Sequence, residues 1–276
     1  MESGAEVFRR AAGQEELAHM NVLVTGGTGT LGRHVVTLLR QGGHRARIMS
    51  REPRGHVDAV KGDLRTGVGL AKALSGMDAV VHAASATRQP LRGWSVDVRG
   101  TRRLLGLARE AHVNHLVYVS IVGIDTSTYP YHRTKLKTEA FVRENIVPWS
   151  ILRATQFHEF VEVVLRGFSR LPAIFAVPLA WQLQPVDSKE VAQRVVDVVL
   201  GKPAGMLPDF GGPEIRELQS LAQAWMLARK DNRRLVNLNL PFKFSRQFAQ
   251  GLITSSDHKE GKITFDEYLA ERYPMS

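Results

Sequence analysis

Apolar runs and helical patterns alternate, with few long loops, through the first half of the chain. Asn21 to Thr25 (NVLVT) is a short, apolar, β-branched stretch, the pattern of a strand buried on both faces. Leu31 to Arg40 then places Leu31, Val35, Leu38 and Leu39 on one helical face, and Gly42-Gly43 ends the helix. Further strands are predicted at Arg45 to Ser50, Val57 to Asp63, Asp78 to Ala84, His115 to Ser120 and Trp149 to Arg153. Helices are predicted at Gly69 to Leu74, Val96 to Ala111 and Tyr131 to Glu144. Parallel strands need a crossover long enough to hold a helix, so this alternation predicts a parallel sheet covered by helices. The expected fold class is α/β, a doubly wound parallel sheet with a smaller C-terminal lobe.

After Ala154 the rhythm changes. Phe157 to Phe168 reads as a helix, followed by a loop bearing Pro172, Pro178 and Pro185. Lys189 to Leu200 is helical, and the loop from Gly201 to Pro213 is expected to hold a strand. Helices at Glu214 to Arg229 and Phe242 to Leu252 flank a strand at Leu235 to Leu240. The expected organisation is an N-terminal extension over residues 1–19, a dinucleotide-binding core over 20–154, and a substrate-binding lobe over 155–276. Elements of that lobe are expected to complete the sheet. His19-Met20 stands directly before the first strand, so Met20 is a candidate start and the preceding segment is given no function.

Composition narrows the function classes. The chain has 276 residues, 43% hydrophobic and 23% charged, as an ordinary globular protein does. It has no Cys, which excludes disulfides and thiolate metal sites and fits a cytoplasmic protein. His112 and His115 straddle a helix end and a strand with no third ligand in reach of the pattern, so no metal is expected. No apolar run reaches the roughly 18 to 20 residues of a membrane span, and no secretory h-region precedes the first strand. The net charge of +10 suits an anionic partner, including a phosphorylated cofactor. The basic residues are spread along the chain, densest only at Arg229 to Arg234, so no specific nucleic-acid partner is expected. A small-molecule substrate and a monomer or homodimer complete this picture.

The chemistry begins at Gly26-Gly27-Thr28-Gly29-Thr30-Leu31-Gly32, a G-x-x-G-x-x-G turn between a strand and a helix. Gly26 permits a sharp turn, Gly29 lets backbone approach a pyrophosphate, and Gly32 lets the helix pack close to the strand. The helix N-terminus offers N–H groups and partial positive charge to the diphosphate. This is the dinucleotide fingerprint of a Rossmann fold, with Thr28 to Leu31 as the expected backbone donors. An acid closing the second strand would grip the ribose hydroxyls of NAD, yet here the strand ends in Ser50 and Arg51. A small hydroxyl and a guanidinium suit a 2′-phosphate, with Arg33 and Arg54 as further candidates. NADP(H) is therefore expected ahead of NAD(H).

The turn TGGTGTLG, together with Asp63, the strand end His82-Ala83-Ala84 and Tyr131-x-x-x-Lys135, resembles the short-chain dehydrogenase/reductase superfamily. The glycine spacing and long C-terminal half resemble its extended and atypical branches, close to NmrA-like NAD(P)-binding proteins. Val96 to Thr101 and Pro185 to Ala192 also resemble stretches those branches share. The resemblance implies that Asp63 and Leu64 contact the adenine and that Ala83, Ala84 and Ser85 let the cofactor lie along the sheet edge. It implies that Tyr131 exchanges a proton with the substrate, and that Lys135 holds the nicotinamide ribose and lowers the tyrosine pKa. The two residues stand four apart, on one face of the predicted helix.

Ser120 is the candidate third catalytic group. Ile121 and Val122 follow it where relatives carry further Ser or Thr, leaving Thr126, Ser127 and Thr128 as stand-ins. Asp97 stands where extended relatives often have Asn. His158, after the sixth predicted strand, is read either as a substrate contact or as a helix-face histidine. The expected function is NADPH-dependent reduction of a carbonyl or related electrophilic small molecule, with Tyr131 as general acid. The alternative is a non-catalytic NADP(H) sensor. An epimerase or dehydratase retaining NAD is disfavoured by the missing acid.

Overall fold

The computed structural model describes residues 19–53, 55–86, 94–169 and 173–274. The N-terminal segment before His19, Arg54 and Pro172 therefore lie outside the described residues. The central sheet has seven parallel strands in the order β3-β2-β1-β4-β5-β6-β9. These are β1 (Asn21–Thr25), β2 (Arg45–Ser50), β3 (Ala59–Lys61), β4 (Ala79–His82), β5 (His115–Ile121), β6 (Trp149–Ala154) and β9 (Gly205–Met206). Helices α1 (Thr30–Gln41), α2 (Leu70–Leu74), α3 (Arg99–Glu110), α4 (Pro130–Arg143), α5 (His158–Phe168) and α6 (Ser188–Leu200) connect or flank them.

The near-continuous apolar character of the strands has a simple cause. Successive side chains point to opposite faces of the sheet. In β1, Val22 and Val24 enter the core under α1 and α6, whereas Leu23 enters the one under α2, α3 and α4. All three are fully buried. Each such side chain contributes about 1.5–3 kcal/mol by leaving water, and a single Asp at Val24 would break one layer.

Strand order reverses between β1 and β4, so the helices after these two strands diverge to opposite faces. The crevice this opens, at the carboxyl ends of β1 and β4, is where such sheets hold ligands. The third strand is shorter than the predicted Val57 to Asp63, because the Asp63 amide turns away to bond the Val68 carbonyl at 3.0 Å. The fourth ends at His82 rather than Ala84. The predicted helix from Val96 divides into a π-helical turn at Trp94–Val98 and α3 proper.

A third apolar core builds the C-terminal lobe around Phe175, Trp225, Phe248 and Phe265. Its elements are β7 (Ile174–Val177), β8 (Gln182–Leu183), β10 (Arg216–Glu217), α7 (Leu218–Ala228), β11 (Arg234–Asn237), α8 (Lys243–Ala249) and α9 (Phe265–Arg272). β7 pairs with β11 in parallel and β8 with β10 antiparallel. The predicted helix at Glu214 begins later because Arg216 and Glu217 pair with β8. Among the described residues, no helix is long and apolar enough to cross a membrane.

Candidate active site

The glycine turn joins β1 to α1, and each glycine meets a different demand. Gly26 has φ +70°, and a Cβ there would stand 2.8 Å from the backbone of Ala84. A Cβ on Gly32 would lie 2.2 Å from the Gly26 carbonyl oxygen, so the protein's own packing requires that position bare. Gly29 differs. Its φ of −81° suits any residue, and a Cβ would meet only the Gly26 oxygen, at 3.1 Å. Gly29 and Thr28 are exposed and Thr30 half-buried, whereas Leu31 turns into the core. The small residue at Gly29 thus leaves a cradle at the N-terminus of α1, whose first N–H groups have no partner within the helix. A helix N-terminus of this kind attracts anionic groups.

The cradle faces the end of β4, held by a buried polar pin. The Nδ1 of His82 bonds the Thr25 hydroxyl at 2.7 Å, and its Nε2 bonds the Thr101 hydroxyl at 2.7 Å. Burial, reinforced by the Lys135 charge, pushes the His82 pKa down to about 3, so the ring is neutral. It fastens β4 to β1 and α3 and does no acid–base work. Asp63 accepts from the Arg65 amide at 2.8 Å, which shapes the loop after β3, while Leu64 is buried. At the end of β2 the Ser50 hydroxyl accepts from the Glu52 amide at 3.2 Å, and Arg51 is exposed. Arg33 is paired with Glu159 of α5 at 3.3 Å.

Tyr131 and Lys135 lie on one buried face of α4. The Lys135 ammonium donates to the Val119 carbonyl at 2.8 Å and sits 4.1 Å over the Tyr118 ring. Burial lowers its pKa to about 8, opposed by the carboxylates of Asp97 and Glu139. Glu139 lies one turn further along α4, fully buried, and accepts from Arg153 at 2.8 and 2.9 Å. Arg153 also holds Asp125, at 2.6 and 2.9 Å. Burial disfavours the guanidinium, but these two carboxylates overcome that and raise its pKa.

The Tyr131 hydroxyl is hydrogen-bonded to the Ser85 hydroxyl. Ser85 Oγ in turn donates to Asp97 Oδ1 at 2.5 Å, and Asp97 Oδ2 accepts from the Ala86 amide at 3.1 Å. Ser120 is not part of this group: its hydroxyl is buried and has no hydrogen-bond partner among the described residues. The hydroxyls of two of the stand-ins are engaged elsewhere. Ser127 bonds His132 Nδ1 at 2.9 Å, and Thr128 donates to Gln247 of the lobe at 2.8 Å. Gln247 also donates to the Thr126 carbonyl, so α8 fixes the entry to α4. His158 points into the lobe, stacked on Tyr268 and bonded to the Ile263 carbonyl at 3.0 Å, which is the helix-face reading of that residue.

The sequence reading of Asp97 as a departure from Asn gave no hint that its carboxylate reaches Ser85. That contact depends on the π-helical turn at Trp94–Val98, and a lone Asp carries no signal for it. The Tyr131, Lys135, Glu139 series was legible as a four-residue repeat on one helical face, although Glu139 went unremarked.

Comparison with known proteins accords with this geometry. A family described as NAD(P)H-binding matches residues 26–163, half of the chain. The chain is 30% identical over 257 residues to a divinyl chlorophyllide a 8-vinyl-reductase of Oryza sativa subsp. indica, covering 82% of this chain and 62% of the relative. It is 32% identical over 189 residues to a (4-alkanoyl-5-oxo-2,5-dihydrofuran-3-yl)methyl phosphate reductase of Streptomyces griseus, covering 65% of this chain and 63% of that protein. The chain thus spans less than two thirds of the length of either relative. A short-chain dehydrogenase/reductase superfamily protein of Agrobacterium tumefaciens with bound NAD shares the fold, with a TM-score of 0.66 at 21% identity over 91% of this chain and 95% of that one. The chain belongs to the NAD(P)H-binding family and has the fold of the short-chain dehydrogenase/reductases.

Proposed function

For a chain of this family, we propose an NADPH-dependent reductase of a carbonyl or related electrophilic small molecule, with Tyr131 as its general acid. The observation that carries this reading is the pairing of Tyr131 and Lys135 on one buried face of α4. Bound NADPH would supply hydride to the substrate. The glycine turn would hold its diphosphate at Thr28 to Leu31, and Arg51 with Ser50 would meet the 2′-phosphate. Asp63 and Leu64 would border the adenine, and Ala83 and Ala84 would let the cofactor approach β4. Lys135, with its pKa lowered to about 8 by burial, keeps positive charge at neutral pH to orient the ribose. Tyr131 would give its proton to the substrate oxygen as negative charge develops there.

Both relatives described above are named as reductases, which supports reduction as the direction of chemistry. The two names describe different substrates, and the pocket-forming lobe determines which compound is accepted here. A second reading, a non-catalytic NADP(H) sensor, draws on one observation: among the described residues the Ser120 hydroxyl has no partner, so β5 offers Tyr131 no hydroxyl contact.

The deciding experiment follows NADPH oxidation over a panel of aldehydes, ketones, quinones and enones, with wild type and Tyr131→Phe. Turnover that falls about 10²- to 10⁴-fold in kcat in the variant, with NADPH affinity retained, supports the reductase. Tight NADPH binding by wild type with no turnover on any compound overturns it in favour of the sensor. An active Tyr131→Phe overturns the assignment of the acid.

A further inference from the structure

We propose that Ser85 and Asp97 form the positioning pair of the active site, with Ser85 supplying beside Tyr131 the hydroxyl that Ser120 does not. This rests on the reductase reading above and deepens it.

The argument starts from counting protons. A serine hydroxyl has one proton and two lone pairs. Asp97 as a carboxylate can only accept, and it receives Ser85 Oγ at 2.5 Å on one oxygen and the Ala86 amide at 3.1 Å on the other. The proton of Ser85 is therefore spent on Asp97. Ser85 must accept from its other neighbour, so the Tyr131 hydroxyl donates to it. In the substrate-free chain the phenol proton therefore points at Ser85.

Asp97 is almost wholly buried, and a buried carboxylate is costly unless its acceptors are filled. Ser85, the Ala86 amide and the field of Lys135 compensate it. Among the described residues, Lys135 and His132 on α4 and Tyr118 of β5 face this assembly. Ser120, on the neighbouring strand, has a buried hydroxyl without a partner among the described residues. The hydroxyl beside the tyrosine thus comes from the end of β4 rather than β5.

The arrangement also works during proton transfer. With substrate bound, Tyr131 turns its single proton from Ser85 to the substrate oxygen; the O–H bond of the phenol then breaks and a new one forms on substrate. The phenolate left behind is a stronger acceptor than before. Ser85 can then rotate its single proton from Asp97 to the phenolate oxygen, with no covalent bond of its own broken. The serine accepts before the step and donates after it.

The test uses the full chain without cofactor or substrate, together with NADPH binding. Phenolate absorbance is titrated in wild type, Asp97→Asn and Ser85→Ala, each after subtraction of the corresponding protein carrying Tyr131→Phe, which isolates one of the five tyrosines. Asp97→Asn keeps the shape and removes the anion, so Tyr131 should ionise about one pH unit lower. Ser85→Ala should shift the same titration, and Ser85→Thr, which keeps a hydroxyl, should restore it. On a substrate the wild type reduces, Ser85→Ala should lower kcat about 10- to 100-fold with KM little changed. Melting curves for each variant establish that it is folded. Titrations of Asp97→Asn and Ser85→Ala that coincide with wild type would overturn the pair. Failure of wild type to bind NADPH would sink the reductase reading instead, and the phenolate titration would still be readable.

Discussion

Gly32 lies so close to Gly26 that a Cβ on the former would stand 2.2 Å from the carbonyl oxygen of the latter, whereas a Cβ on Gly29 would meet that oxygen only at 3.1 Å. The two glycines of one motif are therefore separable by experiment. Gly32→Ala forces β1 and α1 apart and should lower stability, by roughly 1–3 kcal/mol as for other overpacked sites. Gly29→Val should fold with a smaller loss, yet fill the cradle at the helix N-terminus. Calorimetry on a folded Gly29→Val protein should show NADPH affinity lost. Unchanged affinity would place the diphosphate elsewhere.

The choice between the two dinucleotides should depend on Arg51. It is exposed at the end of β2, whereas Arg33 is drawn to Glu159 at 3.3 Å. A hydrogen bond to a charged group contributes about 1.5–3 kcal/mol, roughly 10- to 100-fold in affinity. Arg51→Ala should weaken NADPH by about that factor and leave NADH nearly unchanged in paired binding titrations. Equal losses for both cofactors would transfer the 2′-phosphate to Arg33 or Arg54.

Lys135 should cost stability to the folded protein at neutral pH. Its pKa falls from 10.5 to about 8 because burial disfavours the charged form. The unfolded chain therefore binds more protons than the native one between about pH 8 and 10.5, and in that window stability rises with pH. Below about pH 8 the penalty is fully present, and at about 1.4 kcal/mol per unit it amounts to roughly 3 kcal/mol. Chemical denaturation of wild type and Lys135→Met from pH 7 to 10 should show the wild type gaining on the variant as pH rises. Parallel curves would mean the lysine is not desolvated.

Glu162 should anchor the lobe. Its carboxylate accepts from Trp225 Nε1 at 3.0 Å, Tyr268 at 2.8 Å and Tyr273 at 2.6 Å, and pairs with Arg166 at 3.2 Å and Arg272 at 2.8 Å. Burial opposes the charge, but these donors overcome it and hold the pKa at about 2. With the folded value below the ordinary one, the stabilisation is present above about pH 4.5 and is lost as pH falls through about 2. Glu162→Gln should destabilise by roughly 3 kcal/mol at pH 7, with the difference from wild type shrinking toward pH 2. A difference independent of pH would show that the charge does not carry the effect.

The sequence by itself determined the elements whose signal is local. Val22, Leu23 and Val24 are apolar on both faces because parallel strands are covered on both, so β1 could be read from five letters. Three glycines at fixed spacing between a strand and a helix marked the turn, and close backbone approach forbids a Cβ at two of them, Gly26 and Gly32. The four-residue interval of Tyr131 and Lys135 placed them on one helical face. α9 was not predicted, although the T-x-x-E spacing of Thr264 and Glu267, which the structure shows as a capping box, is a local signal for a helix start.

What the tertiary structure decided are pairings between distant segments. β7 escaped notice because a four-residue strand between prolines gains its identity only from β11, some sixty positions away. Ser120 and Ser85 are both serines at strand ends, and nothing local distinguishes them. Which one meets Tyr131 depends on the π-helical turn that carries Asp97 and on the packing of α4 against β5. A hydroxyl's function is set by the partner that takes its single proton, and that partner, Asp97, reaches Ser85 only in the folded chain.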